Sequence, residues 1–173
     1  MDDKSPMRSS ARASEASDRP IFVPDGFVPP MALDASAFRL RPLGPEHNDS
    51  DYLAWTSSID HIHRTPGWET SDWPRPMTSE ENLADLERHA RDFAAGEGFT
   101  YTVLAPMSEE VIGCVYIYPA GDGAGARVLC WVREPDACLD EPLYRAVSDW
   151  LARDWPFTQI SYDPRKPVPA PPA

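Results

Sequence analysis

Two tyrosines in "VIGCVYIYP" (111–119) are the plainest candidates for proton transfer. Tyr116 and Tyr118 alternate with Val115 and Ile117, so in a strand both phenols leave the face that also carries Cys114. A phenol held in a cleft can pass a proton to or from a reacting group. A second cluster lies upstream, where "DHIHR" (60–64) supplies Asp60, His61 and His63, and Trp68 and Trp73 follow. The two histidines point the same way only in extended chain. A metal needs further ligands that no nearby cysteine provides, so no metal is expected. Cys114, Cys130 and Cys138 form no C-x-x-C pair and read as free thiols, Cys130 as a small core residue.

"WVREPDACLDEPLYRAVSDWL" (131–151) raises the opposite question. It runs from strand character into an amphipathic helix, a junction where a glycine-rich turn can wrap a phosphate in main-chain N–H groups. Here the turn holds Glu134, Asp136, Asp140 and Glu141, Pro135 and Pro142 lack N–H groups, and the chain has no glycine after Gly125. The bland reading is that Asp140 or Glu141 caps the helix.

The elements that must position these groups follow from periodicity. "FRLRPL" (38–43) alternates as a first strand, and 46–63 reads as a helix with Tyr52, Leu53, Trp55 and Ile59 on its apolar face. A loop rich in proline and tryptophan follows. Thr78 and Glu81 make a capping box for a helix carrying Leu83, Leu86, Ala90 and Phe93, which Gly96 ends. Three strands come next, 99–105, 110–118 and 126–133, with short antiparallel connections. A helix over 142–153 buries Leu143, Val147, Trp150 and Leu151, and a last strand spans 157–162, parallel to the strand before the helix.

Composition sets the outer bounds. A chain of 173 residues fits one domain, and a net charge of −12 argues against nucleic acid as a partner. No run is apolar enough to span a membrane, and no signal-like segment opens the chain, so a soluble cytoplasmic protein is expected. Residues 1–20 are too polar to pack and read as a disordered tail. Residues 21–163 form the domain, starting with an apolar, proline-containing strap over 21–37 that lies extended without pairing. Residues 164–173 form a proline-rich tail.

This order, with "FRLRPL" first, then "EVIGCVYIYP", "ARVLCWVR" and a crossover helix, resembles the GCN5-related N-acetyltransferase family over about residues 38–162. The resemblance implies an α/β (α+β) fold: a mixed sheet, mostly antiparallel, with a parallel fourth and fifth strand pair and flanking helices. Against the family pattern this chain is expected to be C-terminally truncated, without the later helix that carries a tyrosine acid in many relatives. It implies acetyl-coenzyme A as cofactor, lying where the parallel pair splays, with contacts on Trp131, Val132 and Arg133. In the family a Q/R-x-x-G-x-G/A loop holds the pyrophosphate, and this chain departs from that pattern. The resemblance also implies a small-molecule amine acceptor lined by Asp60, His61, His63, Trp68 and Trp73, with Tyr116 or Tyr118 as acid or base. The alternatives are a catalytically inactive descendant of the fold that binds a ligand or partner, and an interaction module using the proline-rich tail. A homodimer is left open.

Overall fold

The computed structural model describes residues 21–121 and 125–165. The expected disordered tail, 1–20, and residues 166–173 of the proline-rich tail lie outside the described residues. The elements are β1 (Leu33–Asp34), β2 (Arg39–Pro42), α1 (Asn48–Thr56), α2 (Ile59–Arg64), α3 (Ser79–Ala95), β3 (Phe99–Leu104), β4 (Val111–Pro119), β5 (Ala126–Val132), α4 (Asp140–Asp154) and β6 (Ile160–Tyr162). They form one six-stranded sheet in chain order. Every neighbouring pair is antiparallel except β5 and β6, which are parallel as expected.

Several expectations hold at the level of single bonds. The Thr78 hydroxyl accepts from the Glu81 N–H at 3.1 Å, and the Glu81 carboxylate accepts from the Thr78 N–H at 2.7 Å. Gly96 ends α3 at φ +70, a left-handed conformation that favours glycine. The glycine of "VIG" has a packing reason. A Cβ on Gly113 would stand 2.2 Å from the Trp131 carbonyl oxygen, so only glycine lets β4 approach β5 this closely.

Other expectations need correction. The strap does pair: Leu33 and Asp34 lie opposite Leu40 and Arg39, because the stretch after Pro30 has no proline to remove N–H donors. The strands expected to be first to fifth are therefore β2 to β6. The single helix over 46–63 is broken at Ser57 and Ser58, whose hydroxyls compete for main-chain partners; Ser58 has non-helical φ −134 and ψ 21. On α1 the expected apolar Leu53 is 68% exposed, while Asp51 is buried. Neither Asp140 nor Glu141 caps α4. Its N-cap is Leu139, reached through a 3₁₀ turn over Glu134–Leu139, with no side-chain cap. The last strand shortens to three residues.

Both faces of the sheet are covered. Val115, Ile117, Val128, Cys130 and Val132 face a core shared with Leu143, Val147, Trp150 and Leu151 of α4. Cys114 and Trp131 face a second core with Trp55, Ile62, Trp68 and Leu86 from the α1 to α3 side. Alternation along β4 and β5 thus serves two cores at once.

Candidate functional site

The parallel pair is in register only from Ala126 to Val128 on β5 and from Ile160 to Tyr162 on β6, after which the strands part. The Ala126 N–H donates to the Gln159 carbonyl, whereas the Arg133 N–H donates to the Ile112 carbonyl on β4. Strand alternation therefore turns the main chain of Cys130 and Val132 toward the opening and that of Trp131 and Arg133 toward β4. Of the three residues expected to contact the cofactor, only Val132 has its main chain on the open edge.

That edge is already engaged. The Cys130 carbonyl accepts from the Trp68 indole N–H at 2.8 Å and from Arg165 Nη2 at 3.1 Å. Arg165, counted in the sequence with the proline-rich tail, is buried, and its Nε donates to Asp140 Oδ2 at 2.7 Å. The Cys130 thiol lies beneath, accepting from the Tyr162 hydroxyl at 2.9 Å; burial pushes it up to about 11. Burial disfavours the charge of Arg165, but Cys130 and Asp140 beside it outweigh that and raise its pKa.

The following turn offers few free donors. The Glu134 N–H goes to the Ser58 hydroxyl at 2.9 Å, the Asp136 N–H to the Arg133 carbonyl at 3.0 Å, and the Asp140 N–H to the Ala137 carbonyl. The Arg133 side chain, a cation at the head of this turn, is clamped by Asp136 and by Glu110, the latter at 2.6 Å. The edge of β5 would fit an amide-bearing arm once Trp68 and Arg165 release the Cys130 carbonyl; the turn as folded does not fit a pyrophosphate.

The aromatic residues converge as a wall beside the cleft. Trp73 packs at a tilt against Trp68 at 5.0 Å, 5.9 Å from Trp55 and 5.9 Å from Trp131, and Tyr116 meets Trp68 edge-on at 5.5 Å. The Tyr116 hydroxyl accepts from the Trp131 indole N–H at 3.2 Å, and burial raises its pKa well above the usual phenol range. The histidines do not converge on this wall. His63 Nε2 lies 2.9 Å from the Pro74 carbonyl, His61 Nε2 is buried without a partner among the described residues, and Asp60 sits in the first turn of α2. Among the described residues no group could hold a metal ion, and no helix is long and apolar enough to cross a membrane.

Tyr118 belongs to a polar cluster that adjoins Tyr116 through His89, whose ring lies 5.5 Å from that of Tyr116. The Tyr118 hydroxyl donates to Asp92 at 2.8 Å and lies 2.8 Å from His89 Nδ1, which also meets Thr100 at 2.9 Å. Burial raises the Tyr118 phenol to about 12. Tyr118 lines a groove of about 880 Å³ between the strap and the end of α3, at the opposite end of β4 from the cleft. Asp85, Arg88, His89 and Asp92 recur at helical spacing, a polar stripe visible in the sequence but hidden behind the apolar reading of α3.

Burial would raise Asp85, yet hydrogen bonds from His89 and Arg88 win and bring it down to about 2. A carboxyl depressed from 3.8 stabilises the fold above its unfolded pKa, and that contribution fades as pH falls from about 4 to about 2. Asp85→Asn should lower the melting temperature at neutral pH, and the gap from the parent should close across that acid window. Melting curves over pH 2 to 7 check it; a gap that stays constant would show that the pairing carries no charge-dependent stability.

No family model matches the chain, and no curated protein matches it in sequence. Solved structures do match. A Vibrio cholerae protein described as a ribosomal-protein-serine acetyltransferase superposes with TM-score 0.56 at 14% identity, covering 73% of this chain and 70% of that one. The ribosomal-protein-S5-alanine acetyltransferase of Vibrio fischeri gives 0.54 at 12%, covering 70% and 67%. A ribosomal L7/L12 alpha-N-protein acetyltransferase in complex with coenzyme A gives 0.52 at 15%, covering 72% and 67%. At these identities the likeness is one of architecture, and it agrees with the strand order and the parallel pair: the chain has the fold of the GCN5-related N-acetyltransferases.

Proposed function

We propose that the chain is an acetyltransferase that takes its acetyl group from acetyl-coenzyme A and passes it to a small amine. The observation that carries this reading is the parting of β5 and β6, which turns the Cys130 and Val132 main chain toward a cleft with an aromatic wall on one side. Acetyl-coenzyme A would supply the thioester carbonyl. Transfer forms a bond from nitrogen to that carbon, breaks the carbon–sulfur bond with its electron pair on sulfur, and moves one proton from nitrogen to sulfur. The Tyr116 phenol is protonated at neutral pH and burial raises its pKa further, so it is not suited to starting the reaction as a base; it would give a proton to the leaving sulfur less readily than a free phenol. Trp68 and Trp73 would form the acceptor wall, and Trp68, standing between Tyr116 and the β5 edge, would have to shift for the phenol to reach.

A second reading has its own observation. The engaged N–H groups and the four carboxylates of the turn favour a descendant of the fold that binds no coenzyme A. Thermal melts with acetyl-coenzyme A, free coenzyme A and no ligand separate the two. A ligand at about 100 times its dissociation constant adds about 2.7 kcal/mol to native stability. A raised melting temperature, with thiol release when amines are added, is the expected result; flat melts at millimolar cofactor would leave the second reading standing.

A further inference from the structure

We propose that Arg165 is a latch that closes the donor edge of β5, and that the cleft opens when this side chain withdraws. The inference rests on the acetyl-transfer reading for what enters the cleft, but the closure itself stands on geometry. The Arg165 side chain is only 3% exposed and bonds in several directions. Nε donates to Asp140 Oδ2 on α4, Nη1 to the Pro66 carbonyl of the tryptophan loop at 3.2 Å, and Nη2 to the Cys130 carbonyl at 3.1 Å and thiol at 3.2 Å. Its guanidinium also lies 5.8 Å and 5.9 Å from the ring centres of Tyr144 and Tyr162. One planar fork thus ties α4, the tryptophan loop, β5 and β6 together.

The placement points to a latch more than to a core strut. The group Arg165 occupies on β5 is a main-chain carbonyl on the edge where the sheet opens, an acceptor that an incoming amide could use and that Arg165 shares with the Trp68 indole N–H. The segment that carries it follows a strand of three residues with three register pairs, so it can lift without breaking either core. Its anchor, Asp140, keeps Oδ1 buried with no partner among the described residues, so the closed arrangement is incompletely satisfied at its pivot. A donor amide arriving at the Cys130 carbonyl would replace the Nη2 bond there, beside the bond that Trp68 makes to the same oxygen.

The thiol beneath the latch reports on it directly. In a Cys138→Ser background, which removes the exposed thiol, alkylation by iodoacetamide followed by peptide mass spectrometry reads Cys130 and Cys114 separately. Arg165→Ala should speed Cys130 labelling at least tenfold and leave Cys114 slow, since Cys114 lies in the other core and serves as the folding control. Removing Arg165 also removes a charge that favours the thiolate, so faster labelling can come only from access. Arg165→Lys, which keeps the charge but cannot reach all of these acceptors, should fall between. An unchanged Cys130 rate, or Cys130 and Cys114 rising together, overturns the latch. Titration of the same proteins with acetyl-coenzyme A tests the function separately: a fast Cys130 with no binding in any variant would sink the acetyl-transfer reading and leave the closure intact.

Discussion

Replacing Trp131 by alanine should destabilise the protein by about 3 to 5 kcal/mol, the largest loss expected from any single side chain at the cleft. Trp131 is fully buried at 0% exposure, its indole N–H donates to Tyr116, and its ring packs against Trp73. Truncation leaves a large cavity between β5 and the tryptophan loop and orphans the Tyr116 hydroxyl. Trp131→Phe keeps an aromatic body and should cost clearly less. Urea unfolding of the three proteins checks the order. A loss under about 1 kcal/mol for the alanine variant would mean that the second core is not built around this indole.

Trp131 also shows where the sequence was readable and where it was not. Alternation identifies β5 as a strand and puts Trp131 opposite Cys130 in side-chain direction, but it does not say which edge the main chain offers to a ligand. That depends on which neighbour each alternate residue hydrogen-bonds, and β4 takes the Arg133 N–H and, by alternation, the main chain of Trp131. The capping box of α3, the hairpin strands and the parallel last pair were legible because each rests on local chemistry or on connection length. Arg165 was not. Its partners Asp140, Cys130 and Pro66 lie 25, 35 and 99 residues away, and Pro164 before it and Pro167 two residues after it suggest an extended tail. The break between α1 and α2 was nearly legible, since two adjacent serines in a helix invite local hydroxyl bonds. The polar stripe of α3 was legible outright, and an apolar face at the same spacing drew attention from it.

The acidic turn gives the second large effect, because its charges and the trapped Arg133 act in the same direction. Carboxylates on Glu134 and Asp136 would stand near any pyrophosphate held at the start of α4; at about 5 Å and an effective dielectric of 20, each opposes a phosphate by roughly 3 kcal/mol. Solvent screening at this partly exposed turn removes much of that. Asp136 also holds the Arg133 guanidinium that a phosphate would otherwise recruit. Changing Glu134 to glutamine and Asp136 to asparagine should therefore tighten acetyl-coenzyme A binding by about tenfold or more at low salt and by less at high salt. The Asp136 change should carry more than half of the gain, since it both removes an anion and loosens Arg133. Pantetheine, which lacks the phosphates, is the control, and its affinity should not move. Calorimetric titration of the parent, both single variants and the double variant at two salt concentrations reads all of this. If pantetheine tightened equally, the substitutions would be acting through the fold. If the parent bound acetyl-coenzyme A strongly and ignored the double change, the pyrophosphate would have to be held away from this turn, and the electrostatic account of it would fail.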